Sequence, residues 1–189
     1  FSSLIGHGAN AAEHVNHIPA ALLLNAPDAP GVWSDVDFLA SSCDATIAHS
    51  ADFDRRFVPA YVADRAPWIC SCHDLDWPAA TKPGQSLIAL ALAHGLGVSH
   101  AHRAAVDVDL LGRLLTRIAE TGTDLQSFLA RGLRPKATFE VADKWFDAAR
   151  NALAKANGFR WDDSQRWRRT MAIEAAAGLP FEVRQSADR

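Results

Sequence analysis

The sequence predicts an α/β fold, in which strands and helices pack around a shared apolar core. Short apolar segments with strand character are followed, after brief connections, by segments whose apolar residues recur at helical spacing. A composition of 49% hydrophobic and 22% charged residues is that of an ordinary globular protein. At 189 residues, the chain has room for one well-filled domain and a small second module.

In the first part of the chain, weak alternation at residues 1–5 predicts a strand already under way. A short helix is expected at residues 20–24, among prolines that interrupt longer structure. Ser34 precedes a segment with two acids in its first turn and apolar residues at helical spacing. A helix is therefore expected over residues 35–42, with Ser34 as its N-cap.

The next segment contains the first candidate site residue. An apolar strand at residues 45–48 leads directly into a helix, with Ser50 as its N-cap and Phe57 and Tyr61 on its buried face. Asp54 lies at the flank of this face, just past the carboxyl end of the strand, where open α/β sheets form their binding sites. Asp54 is therefore expected either to make local hydrogen bonds or to bind a cation.

A second acid stands out in a later helix. A strand is expected at residues 67–72 and a helix at residues 86–94, which a glycine ends. In the helix that follows, Asp107 recurs at helical spacing with a series of Leu residues and Ile118, which marks one buried face. Because burying a lone carboxylate costs several kcal/mol, Asp107 is expected to have a cation, a metal ion or strong hydrogen-bond donors beside it.

The character of the sequence changes after residue 131. We expect residues 1–131 to form the main domain and residues 132–189 to form a small α+β module. Three elements are expected in this module: a strand near residues 137–141, a helix over 143–157 and a hairpin of 159–161 with 166–171.

The charge is distributed unevenly along the chain. Residues 1–130 carry 7 Lys and Arg against 14 Asp and Glu, whereas residues 131–189 carry 12 against 8. This pattern excludes a uniformly basic nucleic-acid-binding surface. The acidic part suits metal ions and the basic part suits an anionic substrate, although solvated surfaces have the same composition. Since no run of 18 apolar residues and no signal-peptide pattern is present, a cytoplasmic protein without a membrane partner is expected.

The three cysteines are Cys43, Cys70 and Cys72, an odd number without the spacing of a disulfide framework, which predicts free thiols. Cys70 and Cys72 precede His73 and Asp74, an arrangement that raises the question of a zinc site. A structural zinc site takes four ligands, and no second Cys/His pair stands at a ligand spacing. Buried free thiols are the better interpretation.

Two segments resemble motifs of the DnaQ-like, or DEDDh, 3′-to-5′ exonucleases, the family of the proofreading subunits. Residues 47–54, Ile-Ala-His-Ser-Ala-Asp-Phe-Asp, are similar to the second exonuclease motif. The run from His102 to Asp107 is similar to the third motif, a His followed five positions on by an Asp and a Leu-rich helix. The resemblance covers most of the chain before the C-terminal module, and it implies a ribonuclease-H-like mixed sheet flanked by helices.

The resemblance also implies a chemistry. In the family, two divalent ions, Mg²⁺ or Mn²⁺, are bound by four acids, and the substrate is a DNA 3′ end, usually single-stranded, often beside a DNA polymerase subunit. Asp54 and Asp107 match metal-binding acids, and His102 matches the general base. Hard cations prefer carboxylate oxygens, two metal ions hold the attacking and leaving oxygens, and a His accepts the proton of the water. The implied substrate-binding residues are His49, Ser50 and Phe53.

The position of His102 can be derived from its spacing. On one continuous helix, five positions would put His102 about 140° away from Asp107 around the helix axis. His102 is therefore expected in the loop before the helix or at the start of the helix, and His100 is a nearby competitor.

The sequence departs from the family in two ways. Ser50 replaces the usual Asn, and the first motif, Asp-x-Glu on the first strand, is absent, together with two strands and two of the four metal-binding acids. We therefore expect a fragment of a longer exonuclease that is inactive, or nearly so, by itself. The alternatives are a catalytically inactive nucleic-acid-binding accessory subunit of the same fold and an exoribonuclease acting on short RNA, because DNA and RNA specificity have no simple sequence code.

The C-terminal segment 153–169 looks similar to a small module appended to some bacterial members of the family. Arg160, Arg168 and Arg169 alternate there with aromatic residues, a pattern that suits single-stranded nucleic acid. In so small a module, the stronger interpretation is that the aromatic residues form the core and the arginines point outward. Accessory nucleic-acid contact by the three arginines is the alternative.

Overall fold

A computed structural model describes residues 2–80, 84–98, 103–143 and 147–186. This part of the chain is a mixed α/β protein, so the α/β class expected from the sequence is confirmed, whereas the ribonuclease-H-like topology stays a prediction. The helices are α1 (Glu13–Asn16), α2 (Ala20–Leu23), α3 (Ala29–Ala40), α4 (Ala51–Asp54), α5 (Ala60–Ala63), α6 (Leu87–Ala93), α7 (Ala104–Glu120), α8 (Leu125–Gly132) and α9 (Ala148–Ala156). The strands are β1 (Thr46–Ala48), β2 (Trp68–Cys70), β3 (Lys136–Val141), β4 (Arg160–Trp161), β5 (Trp167–Ala172) and β6 (Val183–Gln185). Short 3-10 helices cover Arg55–Phe57 and Ile173–Gly178.

The strands form two sheets. β1 and β2 pair in parallel, with Thr46 opposite Trp68. The other four strands form an antiparallel sheet in the order β4-β5-β3-β6. β1, which leads to Asp54, and β2, which comes before α6 and α7, thus lie side by side. Because they are parallel, their carboxyl ends meet at the same edge of the sheet.

Each sheet has its own apolar core. In the first core, α6, α7 and α8 pack around β2, and Leu114 and Ile118 of α7 are fully buried, as their spacing predicted. In the second core, Phe139, Phe159 and Met171 pack between the antiparallel sheet and α9. The domain boundary at residue 131 stays a prediction. Among the described residues, no helix is both long enough and apolar enough to cross a bilayer.

Two predictions for the first part of the chain are wrong. Residues 2–5 form no strand, because the backbone beyond them bonds to the α2 region instead, with Gly6 N donating to the Pro27 carbonyl at 2.8 Å. Ser34 is not an N-cap but lies inside α3. The helix begins earlier because the Asp28 carboxylate accepts a hydrogen bond from Gly31 N at 3.3 Å and a proline fits the first turn.

The helix expected after β1 is interrupted. α4 ends at Asp54, a 3-10 turn follows, and α5 starts only after Pro59, whose ring cannot continue the helical hydrogen bonds. Phe57 and Tyr61 were expected on a buried face, but they are 67% and 56% exposed. Asp54 therefore lies at the end of a single helical turn, directly beside the end of β1.

The C-terminal elements differ from the expectation mainly at α9. This helix begins at Ala148, where the Asp147 carboxylate accepts a hydrogen bond from Arg150 N at 2.8 Å. The predicted start at residue 143 is therefore wrong, and residues 144–146 lie outside the described part. The expected hairpin is confirmed, since β4 pairs with β5. Trp161, however, is exposed rather than part of the core.

Candidate functional site

The two predicted metal-binding acids line one cavity at the carboxyl end of β1. Asp54 is the last residue of α4, and Asp107 lies in the first turn of α7. The cavity has a volume of about 620 Å³, and its remaining wall is mostly apolar, from β1, α6 and α7. His49, the first residue after β1, also lines it. The structure thus brings together Asp54, Asp107 and His49.

The carboxylates of Asp54 and Asp107 are half-buried. Neither forms a hydrogen bond or an ion pair with another residue of the described part. Burial, and next the nearby Asp107 carboxylate, raise the pKa of Asp54 above its ordinary value. A proton or a hard cation bound to such a pair relieves the repulsion, and carboxylate oxygens are the ligands that Mg²⁺ and Mn²⁺ prefer. The donor set therefore fits a divalent cation.

The described residues supply only part of a metal coordination shell. Across residues 2–80, 84–98, 103–143 and 147–186, no three side chains from His, Cys, Asp and Glu form a metal-binding group. His102 and His100, the candidates for the general base, lie outside these residues. α7 begins at Ala104, and Arg103 before it donates to the carbonyls of Asn16 and His17 at 2.9 and 3.0 Å. The role expected for His102 stays a prediction.

His49 is held by hydrogen bonds on both ring nitrogens. Nδ1 lies 2.9 Å from Ser71 Oγ, and Nε2 lies 3.1 Å from the Gln85 carbonyl oxygen. Burial lowers the pKa of His49, so the ring is neutral at pH 7. Since a carbonyl only accepts, we assign the proton to Nε2, which leaves Nδ1 to accept from the Ser71 hydroxyl. His49 thus joins the end of β1 to β2 and to the loop before α6.

The other two expected substrate contacts are placed differently. Ser50 has a left-handed backbone with φ of 77°, and its side chain makes no capping hydrogen bond, so the predicted side-chain cap is wrong. Its carbonyl instead accepts a hydrogen bond from Phe53 N at 2.8 Å. Phe53 is half-exposed, packs against Phe57 with ring centroids 5.1 Å apart, and lies outside the lining of the acidic cavity. A substrate-binding role stays a prediction for both.

A second cavity, of about 310 Å³, lies between β2 and the antiparallel sheet. It contains the three arginines named from the sequence, Arg160, Arg168 and Arg169. Lys136 and His73 join them. The sequence drew attention to His73 only as a neighbour of the cysteines, and it did not mark Lys136. Lys136 and His73 line this cavity because β3 and the turn after β2 pack together. Trp68 lines both cavities, which places the basic cavity next to the acidic one.

The cysteines are free thiols, as expected. Cys70 is buried, Cys72 is half-buried and Cys43 is exposed. Burial raises the pKa of Cys72 to about 11, which disfavours the thiolate form that zinc binds. Asp74 is also occupied, because its carboxylate accepts a hydrogen bond from Cys70 N at 2.7 Å and pairs with Lys136.

Comparison with known proteins gives a match for the C-terminal part of the chain. A family model described as a domain of unknown function, DUF8626, matches residues 146–185. This segment contains α9, β4, β5 and β6, and with them Arg160, Arg168 and Arg169. Neither a curated protein nor a solved structure matches the chain.

Proposed function

We propose that this chain is part of a divalent-metal-dependent 3′-to-5′ exonuclease of the DnaQ-like type, which removes nucleotides from DNA 3′ ends. The observation that carries this proposal is the convergence of Asp54 and Asp107 on one cavity from helices far apart in sequence. In the described residues, no cation compensates either carboxylate. An acid whose pKa is raised in a cleft by burial and by a second acid is typical of a functional site.

Asp54 and Asp107 would hold a Mg²⁺ or Mn²⁺ ion at this cavity. When bound, such ions lower the pKa of a coordinated water and stabilise the leaving oxygen of a phosphodiester. The apolar wall, which includes Ile47, Leu87 and Leu111, suits the face of a terminal base. His49 positions the end of β1, from which α4 and Asp54 follow.

Two further observations support the family assignment. The left-handed backbone of Ser50 is a conformation that Asn adopts more readily than most residues, and Asn is the usual residue at this motif position. The parallel β1–β2 pair, with α6 and α7 against it, is compatible with part of a ribonuclease-H-like mixed sheet. We propose that it belongs to such a sheet.

A catalytically inactive nucleic-acid-binding subunit of the same fold is the second candidate. It is favoured by the number of metal-binding acids, since the described residues place two carboxylates at the cavity where the family uses four. The two candidates differ in whether the acid pair binds a metal ion.

Titration with Mn²⁺ tests the acid pair directly. We expect paramagnetic broadening of the NMR signals of residues around Asp54 and Asp107 in the purified 189-residue chain. The Kd should be weak, on the order of 10⁻³ M, because two carboxylates fill only part of the coordination shell. Asp54→Asn and Asp107→Asn should each abolish the broadening. Asp109→Asn, which removes an exposed carboxylate from the same helix, should leave it unchanged.

Broadening that persists in Asp107→Asn, or its absence in the unsubstituted chain, would contradict the metal site. With Mg²⁺, we expect this chain to degrade single-stranded DNA at no measurable rate. Rapid degradation that Asp107→Asn abolishes would overturn the expected inactivity and support the nuclease. Rapid degradation that survives Asp107→Asn would refute the assignment of Asp107.

A further inference from the structure

The basic cavity between β2 and the antiparallel sheet has a surplus of positive charge. It is lined by the cationic side chains of Arg55, Lys136, Arg160, Arg168 and Arg169. Of the described residues, two carboxylates, those of Asp52 and Asp74, line it with them. The cations come from the 3-10 turn after α4, from β3 and from the β4–β5 hairpin, so the cavity exists only in the folded chain.

Three of the five cations already face carboxylates, in the pairs Arg55–Asp64, Lys136–Asp74 and Arg168–Glu140. Arg160 and Arg169 are different, because neither forms an ion pair with another residue of the described chain. The surplus charge of the cavity is therefore concentrated on these two guanidinium groups.

Arg169 is the less solvated of the two. Its Nη1 donates to the Asn157 carbonyl at 2.8 Å, but its Nε is buried without an acceptor among the described residues. Burial lowers the pKa of Arg169, while Asp76 and Asp74 act in the opposite direction from a distance. A desolvated guanidinium is costly without a counter-charge, and an anion in the cavity would supply that charge.

His73, in the turn after β2, lies in the electrostatic field of Arg160 and Arg169. Burial, and then the guanidinium groups of Arg160 and Arg169, lower the pKa of His73. The cavity thus brings together one imidazole and two guanidinium groups from separate elements, and the two guanidinium groups have no ion-pair partner in the described part of the chain. This arrangement is typical of an anion-binding site rather than of a solvated basic surface.

We propose that this cavity binds a phosphate group, held by Arg160 and Arg169. Two guanidinium forks match the charge and the oxygen geometry of phosphate, which arginine binds bidentately. A volume of about 310 Å³ is at the lower end of ligand cavities and accepts a phosphate with its attached sugar. The ligand class is a phosphate ester, from a free nucleotide or from a nucleic-acid strand. The inference does not rest on the exonuclease proposal, since neither Asp54 nor Asp107 lines this cavity.

The test compares arginines inside and outside the cavity. Calorimetry would measure binding of inorganic phosphate, and anisotropy would measure binding of a labelled short oligothymidylate, both to the full chain at low salt. Arg160→Gln and Arg169→Gln should each weaken binding about tenfold, because each removes a charge-assisted hydrogen-bond donor. Arg117→Gln removes one positive charge from the exposed face of α7, where its partner is Glu120, and should have no effect.

For the oligonucleotide, each cavity substitution should also reduce the slope of log K against log salt by about one. Displacement of the oligonucleotide by phosphate would identify a nucleic-acid strand as the source of the phosphate. Phosphate binding without oligonucleotide binding would identify a free phosphate ester.

Arg160 is exposed, so Arg160→Gln should fold normally and decides the result even if Arg169→Gln does not fold. The proposal is overturned if Arg160→Gln binds both ligands as Arg117→Gln does, which includes the case in which nothing binds.

Discussion

At the scale of single residues, carboxylates in this protein differ in whether their charge has a partner. Asp37 on α3 receives two hydrogen bonds from the Arg65 guanidinium, at 2.7 and 2.8 Å, and this contact lowers the pKa of Asp37. Asp54 has no such partner among the residues that the structure describes, and burial and Asp107 raise its pKa. Charge on Asp54 therefore destabilises the fold, which is the pattern expected where a residue is kept for function rather than stability.

The pH dependence of stability follows from this raised pKa. The folded chain holds the Asp54 proton more tightly than the unfolded chain. The stabilisation from protonation is complete below the unfolded pKa, and it is lost as the pH rises through the folded pKa. We expect Asp54→Asn to raise the Tm at pH 7, with the advantage disappearing in acid, whereas Asp109→Asn should change little. A lower Tm for Asp54→Asn at pH 7 would show that Asp54 makes a stabilising contact.

At the scale of elements, two helical glycines have opposite surroundings. Gly112 lies inside α7 on its exposed face, and a Cβ built there would meet no atom within 4 Å. Gly132 ends α8 against β2, where a Cβ would lie 2.6 Å from Cγ2 of Ile69, a side chain only 1% exposed. The absence of a side chain at Gly132 allows the close approach of α8 to β2, whereas at Gly112 it only weakens the helix.

The two glycines make a matched pair for substitution. Gly112→Ala should raise the free energy of unfolding by about 0.5–1 kcal/mol, because alanine favours the helical backbone. Gly132→Ala should lower it by about 1–3 kcal/mol, because the added methyl group overpacks the core at Ile69. Urea denaturation measures both changes. Equal stability of the two variants would mean that α8 does not pack closely on β2.

At the scale of the whole molecule, the two cores are connected by charged contacts around Asp74. The Asp74 carboxylate is 8% exposed, accepts a hydrogen bond from Cys70 N at the end of β2 and pairs with Lys136 on β3. A weaker contact joins Arg134 and Asp76 at 3.9 Å. Asp74 thereby joins the two sheets, and it also lines the basic cavity.

Asp74→Asn tests this connection. The substitution should cost about 1–3 kcal/mol in urea denaturation, because it replaces a buried charge-assisted contact and leaves the Lys136 ammonium without its partner. Glu120→Gln, which breaks the exposed pair with Arg117, should cost less than about 0.5 kcal/mol. If Asp74→Asn were as stable as Glu120→Gln, the two sheets would not depend on this contact.

Much of the secondary structure was predictable because its signals lie within a few residues. The spacing of Leu110, Leu114 and Ile118 predicted the buried face of α7, and Ser86 caps α6, with its hydroxyl accepting a hydrogen bond from Ala89 N. Prediction was wrong where a distant contact or a break decided the outcome, as at residues 2–5. Phe57 followed a helical pattern, but the interruption before Pro59 left it exposed.

The sequence by itself determined most of the local elements, the α/β class and the choice of the two candidate acids, since periodicity, capping and motif spacing act over short stretches of chain. Only the tertiary structure decided which side chains meet. It brought Asp54 and Asp107 to one cavity and placed His73 with Arg160 and Arg169 at a second cavity. It also gave each ring nitrogen of His49 a hydrogen-bond partner. The physical reason is that these groups lie far apart along the chain, so their distances and pKa values follow from the packing of whole elements.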